Sequence, residues 1–210
     1  SDTMRLQICY LSTGTLWIDD ASMVESDGRR GPTLVWPATA SRNLVPNGAF
    51  EAGTDGWGSD GRFTTPGWHM PVNRLFGEPV QDEESGVGTC LKVAMSPETT
   101  PVSYFDCMQA RHSPVRTMLT GTIGWMPTTP GAIYCLSAYL RADRDDGPVK
   151  LVIQPFGCAP IERDVRVGTS WERYELSAPS PAEWCSVLLG PDLTADDSES
   201  CTVWMDRVQF

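Results

Sequence analysis

Apolar and polar positions alternate with a period of two in short runs along most of this chain. In "AIYCLSAYLRA", Tyr134, Leu136, Ala138 and Leu140 point one way, and Ile133, Cys135, Ser137, Tyr139 and Arg141 point the other. "PVKLVIQPFG" repeats the pattern, with Val149, Leu151 and Ile153 on one side and Lys150, Val152, Gln154 and Phe156 opposite. Further strand-like runs fall at Leu6–Leu11, Thr15–Val24, Thr89–Ala94, Arg163–Val167, Trp171–Ser177, Ser186–Leu189 and Thr202–Phe210, most of them bounded by Gly, Pro, Asp or Ser. Helical periodicity is nearly absent, because 19 glycines and 17 prolines interrupt almost every window of two helical turns. The pattern predicts an all-β fold, a β-sandwich of two antiparallel sheets. It also predicts that the strands around Tyr139 and Gln154 share one sheet. Neighbouring strands lie ~4.8 Å apart, so Tyr139, Arg141 and Gln154 would then line one groove.

A short plan occurs twice. "GTLWIDDASMVE" near the start and "CTVWMDRVQF" at the end share the order Thr, aliphatic, Trp, aliphatic, Asp, so that Trp17 matches Trp204 and Asp19 matches Asp206. Between the copies, residues 26–42 carry turn formers and charge with little periodicity and read as a linker. The chain divides on this reading into residues 1–25, a linker over 26–42, and a β-sandwich over 43–210. Residues 1–25 are either the terminal strands of a preceding module or a hairpin added to this one.

Composition narrows the partners. A net charge of −11 and a pI near 4.5 disfavour nucleic acid and anionic membrane, and suit neutral ligands and divalent cations. No apolar run approaches the ~20 residues of a membrane-spanning helix. The seven cysteines include no CxxC pair and there are two histidines, which argues against zinc. These cysteines are either a framework of one to three disulfides in a secreted domain or buried thiols acting as small apolar side chains. The acidic residues concentrate in turns such as "DRDDG" and "TADDSES", and neither a Gly-x-Ser-x-Gly elbow nor a phosphate-binding glycine loop is present. A noncatalytic protein is expected.

The stretches "NLVPNGAFEAGTDGW", "SGVGTCLKV", "PTTPGAIYCLSAYLRAD", "GTSWERYELSA" and "CTVWMDRVQF" resemble, in this order, the landmarks of bacterial jelly-roll carbohydrate-binding modules of the group containing families 4, 9, 16 and 22. The resemblance spans Asn43–Phe210. It implies that the first and last strands lie side by side with a structural calcium ion between them. Glu51, Asp206 and Glu84 would supply carboxylates, and Ala49 and Val87 carbonyls, as hard oxygen ligands. Where the first copy of the repeat reads Asp-Asp, the second reads Asp206-Arg207, so a second carboxylate is missing there.

The same resemblance implies a polysaccharide or oligosaccharide ligand, glucan- or xylan-like, held by ring stacking and hydrogen bonds. Trp17, Trp57, Trp171 and Trp204 stand in landmark motifs and are assigned to the core, Trp68 to structure and Trp36 to the linker. Trp125, Trp184, Tyr104 and Tyr139 remain as stacking candidates, with Arg141, Gln154 and His112 as hydrogen-bonding ones. The expected protein is a noncatalytic binding module of a larger secreted polysaccharide-active protein, with any signal peptide preceding Ser1 and a catalytic domain as partner. The alternative is a structural β-sandwich that packs on a glycoside hydrolase without touching sugar.

Overall fold

A computed structural model of the chain describes residues 43–63, 69–72, 77–82, 88–96, 115–198 and 200–210, with backbone alone for 59–63, 69–72 and 115. The two copies of the repeat therefore cannot be compared: the strands expected within residues 1–25, and the linker, lie outside the described residues, as do Trp17, Trp36 and Trp68. The described residues form twelve strands and no α-helix. They are β1 (Trp57–Phe63), β2 (His69–Val72), β3 (Glu78–Asp82), β4 (Gly88–Met95), β5 (Val115–Thr122), β6 (Met126–Pro127), β7 (Ile133–Ala142), β8 (Gly147–Pro155), β9 (Ile161–Val167), β10 (Glu172–Pro179), β11 (Trp184–Pro191) and β12 (Cys201–Gln209).

Two antiparallel sheets result, as the alternation predicts. One has the order β2-β1-β5-β11-β8-β9, with β6 paired to the end of β11; the other has the order β10-β7-β12-β4-β3. Period-two burial builds the core between them. Leu136, Ala138, Leu140 and Ala142 of β7 meet Val149, Leu151 and Ile153 of β8, with Val203 and Met205 of β12 and Val187 and Leu189 of β11 completing the cluster.

The expectation that β7 and β8 share a sheet is corrected. β7 pairs with β10 and β12, whereas β8 pairs with β11 and β9. The chain crosses from one sheet to the other at residues 143–146, so the outward sides of β7 and β8 are opposite surfaces of the sandwich.

The segment that opens the sandwich lies along the strand that closes it. The Leu44 amide donates to the Phe210 carbonyl (2.9 Å) and the Val208 amide donates to the Gly48 carbonyl (2.8 Å). The Asn43 side chain donates to the Val208 carbonyl at 3.2 Å and accepts from the Phe210 amide at 3.0 Å. Asn47 then organises the following turn. It takes a left-handed backbone conformation (φ 50°), which Asn tolerates better than most residues. Its amide donates to the Gly53 carbonyl at 3.0 Å and the Asp55 carbonyl at 3.2 Å, while its side-chain oxygen accepts from the Ala52 amide at 3.0 Å. Its own carbonyl accepts from the indole of Trp57, which is buried against Phe50 with ring centroids 5.1 Å apart. The motif "NGAFEAGTDGW" is thus a turn wound on Asn47 and pinned by an apolar pair.

Cys90, Cys135, Cys158, Cys185 and Cys201 are free thiols. Cys90, Cys185 and Cys201 are fully buried, which matches the reading of cysteine as a small apolar side chain for these three.

Candidate functional site

The outward positions of β8, β11 and β6 gather an aromatic cluster. Phe156 follows β8 on the outward side of Gln154, and its amide donates to the Trp184 carbonyl at 2.9 Å. Trp184 is outward because Cys185 and Val187 beside it face the core. Trp125 precedes buried Met126 and turns to the same side. The three rings are half-buried and meet edge to face, at 4.9 Å between Trp125 and Phe156 and 6.2 Å between Phe156 and Trp184. Gln154 borders them. Its amide nitrogen donates to the carbonyls of Pro155 and Cys158, both at 3.2 Å, which fixes the group and leaves its oxygen as an acceptor. Further along β8 the Lys150 ammonium is held by Asp164 at 2.7 Å, Asp192 at 3.2 Å and Glu162 at 3.3 Å. This surface therefore offers apolar rings, a fixed amide and neutralised charges.

Of the seven residues expected to bind sugar, the structure brings Trp125, Trp184 and Gln154 together. Tyr139 and Arg141 lie on the opposite surface, the outer side of the five-stranded sheet, so the three-residue groove of Tyr139, Arg141 and Gln154 does not exist. Tyr104 and His112 lie outside the described residues. Phe156 is the member that sequence reasoning missed, although the alternation of β8 already put it on the side of Gln154.

The surface around Arg141 is tied to itself. The guanidinium carbon sits 4.1 Å from the centroid of the Trp204 ring and 5.6 Å from that of Trp171, and Nε lies 3.3 Å from Asp82. The Trp171 indole donates to the same Asp82 carboxylate at 2.9 Å. Trp171 and Trp204 are thus half-buried members of the outer face, a correction to their expected place in the core; Trp57 alone of the described landmark tryptophans is a core residue. The cause is the strand period, since Val203 and Met205 take the inward positions and leave Thr202, Trp204 and Asp206 outside. Cys90 lies fully buried beside this network. Desolvation, reinforced by the Asp82 charge, pushes its thiol up to about 11, so it stays protonated and unreactive near neutral pH.

A second feature of the outer face concerns the expected metal ligands. Asp206 is 2% exposed and its Oδ1 has no hydrogen-bond partner. Its carboxyl is raised above the ordinary value, first by burial, with the neighbouring Glu51 charge adding to the rise and Arg207 opposing it. The Glu51 charge is thus felt at Asp206, in keeping with the hydrogen bonds that lay the opening segment along the closing strand. A buried, unpartnered carboxylate oxygen in the field of a second carboxylate fits a hard cation. Among the described residues no cluster of three or more carboxylate, histidine or cysteine side chains supports it. Glu84 and Val87 lie outside the described residues.

The fold and these surfaces define a β-sandwich carrying an aromatic cluster on one sheet and a buried acid beside its terminal strands. No protein-family model and no curated protein matches the chain. Solved structures do. The enzymatically active domain of tailspike protein 4 from bacteriophage CBA120 aligns over 80% of this chain and 21% of its own, with 11% identity and a TM-score of 0.50. That match shows a shared fold. A family 61 carbohydrate-binding module in complex with β-1,4-galactotriose aligns over 80% of this chain and 97% of its own, at 12% identity and a TM-score of 0.48. A family 16 carbohydrate-binding module aligns over 80% of this chain and 98% of its own, at 16% identity and a TM-score of 0.48.

Proposed function

We propose that this chain is a noncatalytic carbohydrate-binding module that holds a neutral polysaccharide on the outer face of its larger sheet. The observation that carries this reading is the convergence of Trp125, Phe156 and Trp184 on one side of a rigid sheet, with the fixed amide of Gln154 beside them. Pyranose rings present apolar C–H faces that stack on such rings, while their hydroxyls need acceptors and donors held in place. The five sequence landmarks that resemble carbohydrate-binding modules support the same reading. The ligand is glucan- or xylan-like, and the module belongs to a larger exported protein whose catalytic domain it keeps close to the polymer by raising the local concentration. Calorimetry and affinity electrophoresis over a panel of soluble glucans and xylans test it. Retention by at least one is expected, and no retention by any member in excess calcium would overturn it.

Calcium is part of the same proposal. Asp206, Glu51 and the Ala49 carbonyl would hold it, with Glu84, the Val87 carbonyl and water completing the shell, and the ion would neutralise the buried acid where the two terminal segments meet. Binding to the folded state alone adds about 2.7 kcal/mol at a hundred-fold excess over Kd. For a domain of this size that is a rise of roughly 5–10 °C in Tm. Scanning calorimetry in calcium against chelator should show this rise in the parent and lose it in Asp206→Asn. Equal melting with and without calcium would remove the ion from the proposal.

A further inference from the structure

The residue after the buried acid carries an unusual combination of features. Arg207 is a non-glycine residue with a left-handed backbone (φ 48°), and the pairing of β12 with β7 is irregular between Asp206 and Gln209. A bulge of this kind re-aims side chains next to a site. Here it sets the Arg207 Nε 3.4 Å from Asp206 Oδ2, with the guanidinium carbon 5.7 Å from the centroid of the Tyr139 ring. The Arg207 side chain is 56% exposed, whereas that of Asp206 is 3% exposed. One carboxylate oxygen therefore faces a solvent-reaching cation, and the other, Oδ1, has no hydrogen-bond partner.

We propose that Arg207 is a tethered competitor for the cation site, an internal guanidinium that sets how tightly Asp206 and Glu51 hold a divalent ion. This rests on the calcium reading given above and adds to it the residue that controls affinity. The free oxygen of Asp206 remains available to the ion, so the guanidinium weakens binding without closing the site. Its positive charge, 3.4 Å from Asp206 Oδ2, would oppose a second cation held by that carboxylate, and its exposed side chain has solvent to turn into. At a partly hydrated surface, one unit charge at such range opposes a divalent ion by about ten-fold in affinity. The Tyr139 ring holds the guanidinium beside Asp206 in this position.

The test compares the parent with Arg207→Gly and Arg207→Lys by calcium titration in a calorimeter and by the Tm difference between calcium and chelator. Glycine removes the charge and suits the left-handed backbone, so this variant should fold at least as well. Lysine keeps the charge. The expected result is calcium binding about ten-fold tighter in Arg207→Gly, and near the parent's affinity in Arg207→Lys. Equal affinity in all three proteins would overturn the role of Arg207 while leaving the calcium site in place. Tighter binding in both variants would overturn it too, because charge would then not be the cause. Absence of calcium binding in all three would overturn both this inference and the calcium reading beneath it.

Discussion

Alanine in place of Trp184 is expected to lower affinity for a soluble oligosaccharide by about thirty-fold, and to abolish retention on the polymer in affinity electrophoresis. A ring that stacks on a sugar and loses contact with water contributes about 2 kcal/mol, the lower part of the range for burying a large apolar side chain, and each 1.4 kcal/mol is a factor of ten in binding. The fold should survive. Trp184 is half-buried on the outer face, while Cys185, Val187 and Leu189 of the same strand supply its core contacts. Gln154→Ala, which removes one acceptor, should cost about five-fold. Tyr139→Ala and Arg141→Ala are the decisive companions. Both lie on the opposite sheet, Arg141 already engaged with Asp82 and Trp204, so sugar affinity should stay within about two-fold of the parent's. If the Tyr139 variant loses binding and the Trp184 variant keeps it, the ligand surface is the five-stranded face and the aromatic cluster is packing only.

The contrast between these two surfaces shows what alternation can and cannot carry. A period of two states which side of its own strand a residue occupies, and it did so correctly for Leu136 against Tyr139 and for Leu151 against Gln154. It does not state which sheet the strand joins. The short link over residues 143–146 looks like a hairpin, and hairpin strands are neighbours, yet here the chain passes between layers. One wrong pairing therefore moved Tyr139 and Arg141 to the wrong side of the molecule. The tryptophans failed in the opposite way. Trp204 sits between two inward residues, Val203 and Met205, so period two alone would have placed it outside; reading it as a landmark of the core overrode the better physical rule.

Several strands were silent in the sequence for reasons of composition. β1, "WGSDGRF", has two glycines and little alternation, and it exists because β2 and β5 pair with it on both sides. β3, "EPVQD", is a short edge strand that is mostly exposed and holds a proline, so it has little apolar signal to give. β5, "VRTMLTGT", puts Thr120 at an inward position, fully buried, which breaks the apolar stripe that period-two reading looks for. The turn over "NGAFEAGTDGW" was visible as a motif, but its mechanism was not. Only the hydrogen bonds show that Asn47 is its hub and that the segment lies against β12.

That last contact makes a single added methyl group costly. A Cβ added to Gly48 would stand 2.1 Å from the Val208 carbonyl oxygen and 3.1 Å from the carbonyl carbon, both of them backbone atoms. No rotamer change can relieve that overlap, so either the opening segment or the end of β12 must move. The Gly48 carbonyl accepts from the Val208 amide at 2.8 Å, and the neighbouring bonds of Asn43 and Leu44 to Val208 and Phe210 depend on the same alignment. Gly48→Ala should therefore cost about 3 kcal/mol or more, as backbone displacement with lost hydrogen bonds does, and lower Tm by roughly 10 °C. Gly53→Ala is the control. Its φ of 65° strains any L residue, but nothing lies within 4 Å of the added carbon, so the loss should be about 1–2 kcal/mol. Melting of both proteins by circular dichroism separates the two causes, and a Gly48 variant that melts within about 2 °C of the parent would show that the terminal segments are not locked together. Glu51 stands three residues beyond Gly48, so the displacement that costs stability also carries its carboxylate away from Asp206. The Gly48 variant should accordingly lose most of the calcium-dependent rise in Tm, whereas the Gly53 variant should retain it.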